Sequence, residues 1–539
     1  MQLDLTKREK WIIAILLFFA IVAHFINLGL MPLMGDEGLR ALVSFEMMQR
    51  ENYIVPTNWG DFYYRKPPLY NWILIGFFKI FNSYSMLVMR LPSVIPLFIL
   101  AGCTWFVSRR HIGDKAAILA GFAFLLSGRL LTRDSMLGHI DIFYSLVTFI
   151  GFYSVFFFQK RKSYWLLFLI SYLLAAMGVL MKGLPSFLFQ GFTIVLWFVY
   201  QKEWKRLFSL AHFTGILLFL LVVVGYFYAY SQYNSLEVYF DELYGQAAMR
   251  TVVDKPWYEG VLNIFTFPFE NIGHLFPSSL LVLFAIRKGI FRRWMGSEFT
   301  AFTLLVLAVN VVPYWLSPGY YPRYLFMLYP LVMILLGDAY FSFVEQQNWR
   351  HKTWQGIFLG LGFVVTIAPA AAFVVPEVRA LPNALVYAPI LILIGAGLIY
   401  LWMRFKQERL WWSLAFVVLF RLGFDVFVLP YRYYVEDNLE NHKKEMSQNI
   451  LDIADGRRVA IYQKAPVYFE YAYYIGVGQN EIVQRLKVPG ESYLYLMDDN
   501  LLTSFEEYTV LYRFKVRYKE YWINLVEFPE KEASDASAE

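Results

Sequence analysis

Residues 67–81 read PPLYNWILIGFFKIF, and the side of the membrane assigned to everything after them depends on whether they cross it. The stretch is apolar enough to span if stretched. Were it stretched across, every later connection would change sides. The basic residues decide the matter. Lys7, Arg8 and Lys10 precede the first apolar run, and Arg109, Arg110 and Lys115 follow the second. Further basic groups recur at 160–162, 202–206, 287–293, 350–352 and 404–409, in alternate connections. The opposite short connections hold Arg129, Arg133, Lys182, Arg323 and Arg379. Cytoplasmic loops are the ones enriched in Lys and Arg. That asymmetry is kept if residues 31–86 form an outer loop whose helices lie along the membrane surface.

The 539-residue chain is 58% hydrophobic and 20% aromatic, with a mean hydropathy of +0.45. Those values exclude an ordinary soluble protein. An open sheet edge cannot be satisfied in lipid, and no alternating barrel pattern is present, so the spans are helical. The runs predict about thirteen of them: 11–30, 87–107, 116–128, 138–158, 164–181, 184–200, 209–230, 274–286, 298–316, 324–343, 355–375, 384–403 and 410–429. No A-x-A-like cleavage site follows the first, which reads as a retained signal-anchor. The single cysteine, Cys103, rules out an intrachain disulfide and a cysteine-based metal cluster. The net charge of +6 carries less information than its placement.

Two domains are expected. Residues 1–430 form the transmembrane domain, with long outer loops at 31–86 and 231–273. From 431 to 539 the hydropathy falls to that of a soluble domain. Strand-like runs at Arg458–Gln463, Ser492–Met497, Thr509–Phe514 and Tyr521–Phe528 predict a small outward-facing α/β domain. Its acidic tail, Pro529–Glu539, reads as disordered. No internal repeat is evident, which counts against an inverted-repeat transporter.

In this topology the unusual polar residues gather on the outer face. Asp36 and Glu37 follow the first span, and Arg65 and Lys66 lie in the same loop. Arg133, Asp134, His139 and Asp141 come at the start of the fourth span, and Lys182 joins the fifth to the sixth. Arg323 opens the tenth, behind Ser317-Pro318-Gly319-Tyr320-Tyr321-Pro322. Ionisable groups at membrane depth are expensive, so several on one face suggest a shared polar cavity. Each alone has a plainer reading. Asp36 suits the cap of a helix beginning near Gly38. Lys66 suits a snorkelling anchor, and Arg323 an interfacial belt. Asp141 could cap the apolar run after it, and His139 suits a structural hydrogen-bonding role better than metal ligation. Lys182 could be a loop anchor.

The segments GDEGLRA (35–41), FYYRKPPLYNW (62–72), LGHIDIFYSLVTF (137–149) and MKGLP (181–185) occur in an order that resembles the bacterial lipid A aminoarabinose transferases. These group with the protein O-mannosyltransferases in the GT-C fold of membrane glycosyltransferases. KPWYEGVLNIF (255–265) and PRYLFMLYPLVMILLG (322–337) extend the resemblance to about residue 340. It implies an enzyme that moves a sugar from a polyprenyl phosphate to a lipid, glycan or protein acceptor outside the cytoplasmic membrane. By the same resemblance Asp36 is the catalytic carboxylate and Asp141 the second acidic position. Lys66 is the lysine that contacts donor phosphate, and Lys182 and Arg323 match basic or loop positions. Apart from the resemblance, Glu37, Arg65, His139, Lys182, Tyr320 and Arg323 are candidate substrate contacts on the outer face. This chain departs from its relatives where Gly38 and Leu39 intervene before Arg40, and where Ile142 replaces a proline.

The chemistry fits these residue types. Breaking the anomeric C–O bond develops positive charge on the sugar and negative charge on the leaving phosphate. A carboxylate can accept the proton of the attacking hydroxyl or amine, and basic side chains stabilise the phosphate. Attack from the face opposite the phosphate inverts the anomeric centre in one step. Paired carboxylates at Asp36, Glu37 and Asp141 offer hard ligands for a divalent cation, but the lysine supplies an alternative charge and no cofactor is required. No nucleic-acid partner is implied. A lipid-linked sugar flippase is one alternative, and a glycan ligase or polymerase using a polyprenyl diphosphate is another.

Overall fold

The computed structural model describes residues 4–183, 185–248, 257–317, 319–342, 349–436, 438–488, 492–516 and 521–529. The expected disordered tail lies almost wholly outside them. The chain divides into two compact units, residues 1–28, 65–67 and 90–435, and residues 29–64, 68–89 and 436–539.

The first unit is helical. Among the described residues, eight helices are long and apolar enough to cross a membrane: Met86–Ile112, Ile140–Lys160, Tyr164–Lys182, Leu210–Ser231, Glu298–Trp315, Trp349–Val374, Ala384–Arg404 and Lys406–Tyr434. This is a multi-pass membrane protein. Helices Lys7–Phe25, Asp114–Leu125, Pro185–Tyr200 and Tyr329–Phe341 lie at four more of the expected spans. The span expected at 274–286 is broken instead into a 3-10 turn, Ser278–Leu281, and one helical turn, Val282–Ala285. Pro277 cannot donate to a continuing helix, and the serines after it favour a turn. The expected outer loop 231–273 is largely helical, with Leu236–Ala248 and Trp257–His274 described.

Without a hydrophobic force between helices in lipid, close packing does the work, and small residues permit it. A Cβ at Gly337 would fall 2.7 Å from the Ala116 carbonyl, and one at Gly215 2.6 Å from the Tyr172 ring. Some buried polar groups inside this unit are paired with one another. Arg421 is 1% exposed, donates to Asp425 Oδ2 at 2.8 Å, and also donates to the Leu131 carbonyl. Asn27 Nδ2 donates to the Asp425 carbonyl at 2.7 Å.

The second unit joins early residues to the C-terminal ones. Helix Asp36–Gln49 is followed by a two-residue hairpin ladder, Thr57–Asn58 against Asp61–Phe62, and by helix Leu69–Phe81. That 13-residue helix is roughly 20 Å long at ~1.5 Å per residue, too short to cross a ~30 Å hydrocarbon core. Its Tyr70, Leu74 and Phe78, spaced i, i+4, i+8, are buried within this unit, while Ile80 and Phe81 are exposed.

The C-terminal sheet has five strands, in spatial order Arg485–Leu486, Arg458–Tyr462, Tyr493–Asp498, Tyr521–Glu527 and Thr509–Val516. The Arg458–Tyr462 strand pairs in parallel with both neighbours, and the remaining pairs are antiparallel. All four strand-like runs read from the sequence fall on strands here, with bounds shifted by no more than about two residues. One face of the sheet shares a core with the early helices. Leu42, Phe45, Leu74 and Phe78 pack with Ile461, Ile475, Leu496 and Ile523. Residues 29–64 and 68–89, expected to belong with the spans, therefore fold with residues 436–539.

Candidate active site

Asp141 is the second residue of helix Ile140–Lys160, where the helix dipole favours a carboxylate. Its side chain is buried and receives the Lys182 ammonium in an ion pair, with Arg323 Nε 3.5 Å away. These partners come from two other elements. Lys182 ends helix Tyr164–Lys182, and Gly183, at φ 86°, turns the chain toward the next helix. Only glycine takes that backbone without strain. Arg323 sits in the 3-10 turn Pro322–Leu325. Aromatic faces complete the cluster. Lys182 Nζ lies 4.5 Å from the Tyr144 ring centroid and 4.9 Å from that of Tyr324. The Arg323 guanidinium lies 5.0 Å from the Tyr321 ring. A partly desolvated cation over an aromatic face is held by the ring quadrupole.

Three of the residues singled out in the sequence therefore converge within this unit. His139 stands next to them at the N-cap, with its ring buried and its carbonyl accepting from Ser93 Oγ at 2.9 Å. Tyr320 does not join Arg323. Its hydroxyl donates to Glu270 Oε2 at 3.0 Å and accepts from Asn271 Nδ2 at 3.4 Å. Burial and that carboxylate together push the Tyr320 phenol well above its ordinary range. Tyr144 and Tyr324 were not singled out from sequence. The signal was present, because one lies three residues after Asp141 on the same helix face and the other adjoins Arg323.

Arg133 is exposed, whereas Asp134 is buried and takes a two-point hydrogen bond from Arg129, at 2.8 and 3.3 Å. Arg65 is exposed and Lys66 half-buried.

In the second unit the helix Asp36–Gln49 begins at Asp36 itself, after Gly35 at φ 60°. Asp36 is thus in the first turn, not at the cap near Gly38 that the plainer reading expected. It is exposed, while Glu37 is fully buried and accepts from the Met34 amide at 2.9 Å. The two carboxylates of the dipeptide have different work. Glu37 fixes the approach to the helix, and Asp36 is left at the surface of this unit. Arg40, one turn on, donates to Asn71 Oδ1 at 3.3 Å and to the Tyr63 hydroxyl. Among the described residues, no group of three or more His, Cys, Asp or Glu side chains is gathered closely enough to hold a metal ion.

Residues 65–228 match a family described as dolichyl-phosphate-mannose-protein mannosyltransferase. The fold is that of ArnT from Cupriavidus metallidurans. The crystal structure of that protein bound to undecaprenyl phosphate superposes with a TM-score of 0.70 at 17% identity, covering 96% of this chain and 98% of that one. Its apo state gives 0.68 at 16% identity, with the same coverage. An uncharacterized protein of Aquifex aeolicus is 22% identical over 325 residues, 59% of this chain. The match spans 62% of that relative's length. The GT-C resemblance carried by the sequence motifs is thus met again in the family match and in the fold.

Proposed function

We propose that this chain is an inverting glycosyltransferase that takes a sugar from a polyprenyl phosphate and places it on a lipid, glycan or protein acceptor at the outer face of the cytoplasmic membrane. The observation that carries the reading is the near-complete structural match to a protein crystallised with undecaprenyl phosphate. The mannosyltransferase family match over residues 65–228 supports it independently.

The roles follow from the chemistry. Asp36, an exposed carboxylate in a helix first turn, is the base that takes the proton of the attacking hydroxyl or amine, a contribution of typically ~10²–10⁴-fold. Lys66 and Arg323 meet the charge that grows on the leaving phosphate. Asp141 is better suited to positioning than to proton transfer, because its carboxylate already holds Lys182 and Arg323. The prenyl chain lies against apolar spans, which a chain with 20% aromatic residues provides in excess.

The test is mass spectrometry of envelope glycolipids, glycans and glycoproteins from cells with the gene, without it, and with Asp36→Asn. Loss of one sugar from one acceptor in both altered strains is expected. Loss in the deletion alone, with lipid-linked donor accumulating, would favour a flippase and remove Asp36 as the base. The scheme needs no divalent cation, so transfer in purified membranes should persist in EDTA. Abolition by EDTA and recovery on adding Mg²⁺ or Mn²⁺ would move the charge-stabilising role to a metal.

A further inference from the structure

The departure at Gly38 has a partner in the C-terminal residues. Gly38 is the third residue of the helix that carries Asp36, and it is buried. A Cβ there would fall 2.6 Å from Cγ and 2.9 Å from Cδ of Glu470. Nothing larger than glycine fits while Glu470 holds its place. Glu470 is itself 4% exposed, in the first turn of helix Phe469–Gln479. Its Oε1 lies 3.2 Å from Nζ of Lys443, also 4% exposed, on helix Leu439–Ala454. The Lys443 ammonium is in turn 5.1 Å from the Tyr468 ring centroid.

A buried carboxylate and ammonium are costly to bring out of water, and a pair is kept only with good geometry. Here the cost is accepted directly behind the first turn of the Asp36 helix, where an apolar pair would have packed more cheaply. The same C-terminal helix holds the chain just ahead of that turn. The Leu33 amide donates to the Tyr474 hydroxyl at 2.8 Å, and Phe45 meets the Tyr473 ring edge-on at 6.2 Å between centroids. The helix is therefore held before, at and beyond its first turn by residues more than four hundred positions away in sequence.

We infer that Glu470, fixed by Lys443, is a positioning residue for Asp36, and that Gly38 is the gap through which it acts. This rests on the reading of Asp36 as the base. The C-terminal residues then do more than complete a fold: they set where the proton acceptor stands.

The test compares Gly38→Ala, Glu470→Ala, Glu470→Gln, the Gly38→Ala/Glu470→Ala double variant and Asp36→Asn. All are produced as the full chain at matched levels in a deletion strain. Two quantities are read: the rate at which glycosylated product accumulates, by mass spectrometry, and the binding of undecaprenyl phosphate to purified protein. Gly38→Ala and Glu470→Ala should each slow transfer about tenfold while undecaprenyl phosphate binding stays within twofold. Glu470→Gln, which keeps the shape, should retain most of the rate. The double variant should be no slower than Glu470→Ala, because the added methyl then has room.

Transfer that falls only in proportion to the amount of folded protein would overturn the inference and leave Asp36 as the base. Independent, multiplying losses in the double variant would also overturn it. Normal transfer by Asp36→Asn would overturn both readings at once, and so separates the two failures.

Discussion

At the scale of single residues, Asp141 shows what a charge inside a membrane protein is for. It is 3% exposed, and two cations from other elements face it. Breaking a buried pair by removing one partner typically costs ~3–5 kcal/mol, because the remaining charge is left uncompensated. Asp141→Ala removes a carboxylate that faces two cations and should lower the thermal stability of the detergent-purified protein. Arg323→Gln should cost much less, since the Asp141–Lys182 pair remains. Equal losses in the two variants would show that the carboxylate is not the centre of the cluster. Asp141, Lys182 and Arg323 were all legible in the sequence, each being an ionisable residue beside an apolar run on the outer side. Their pairing was not legible, because it depends on how three helix ends meet.

At the scale of elements, the helix Asp36–Gln49 carries a second buried acid with a pH consequence. Glu46 has no exposed surface; its Oε2 accepts from Thr57 Oγ1 at 2.7 Å and from the Gly60 amide at 3.2 Å, which ties the hairpin to the helix. Burial pushes its carboxyl from 4.5 up to about 7, against the opposing pull of those hydrogen bonds. A pKa raised on folding means that the folded state favours the proton. The stability gained this way is complete below pH 4.5, declines as pH rises to about 7, and is flat above that. Glu46→Gln keeps an acceptor for both bonds and removes the buried charge. It should raise the melting temperature at pH 8 and remove the decline between those limits. An unchanged slope would mean that another group titrates there.

The strands were readable because alternation and β-branched or aromatic content are local signals. The broken element at 274–286 was not read correctly, because apolar composition alone does not report where a proline interrupts hydrogen bonding.

At the scale of the molecule, the division into units was hidden from the sequence because it rests on contacts between residues far apart. Hydropathy falls near residue 431, and a boundary placed there treats everything after it as an appendage. The core says otherwise. Leu42, Phe45, Leu74 and Phe78 are each 2% exposed or less, and they share one cluster with Ile461, Ile475, Leu496 and Ile523. Removing residues 436–539 would open that cluster. Exposing four large apolar side chains costs roughly 1.5–3 kcal/mol each, or roughly 6–12 kcal/mol together. That matches the whole stability of a typical domain, ~5–15 kcal/mol. The helix carrying Asp36 would then lack the core against which it packs. A chain ending at residue 435 should therefore fail to accumulate or elute as aggregate when extracted in detergent, and it should not transfer sugar. If instead it ran as a single monodisperse species and kept activity, the C-terminal sheet would be dispensable to the fold of residues 29–89. Helix Asp36–Gln49 would then have to be stabilised from elsewhere.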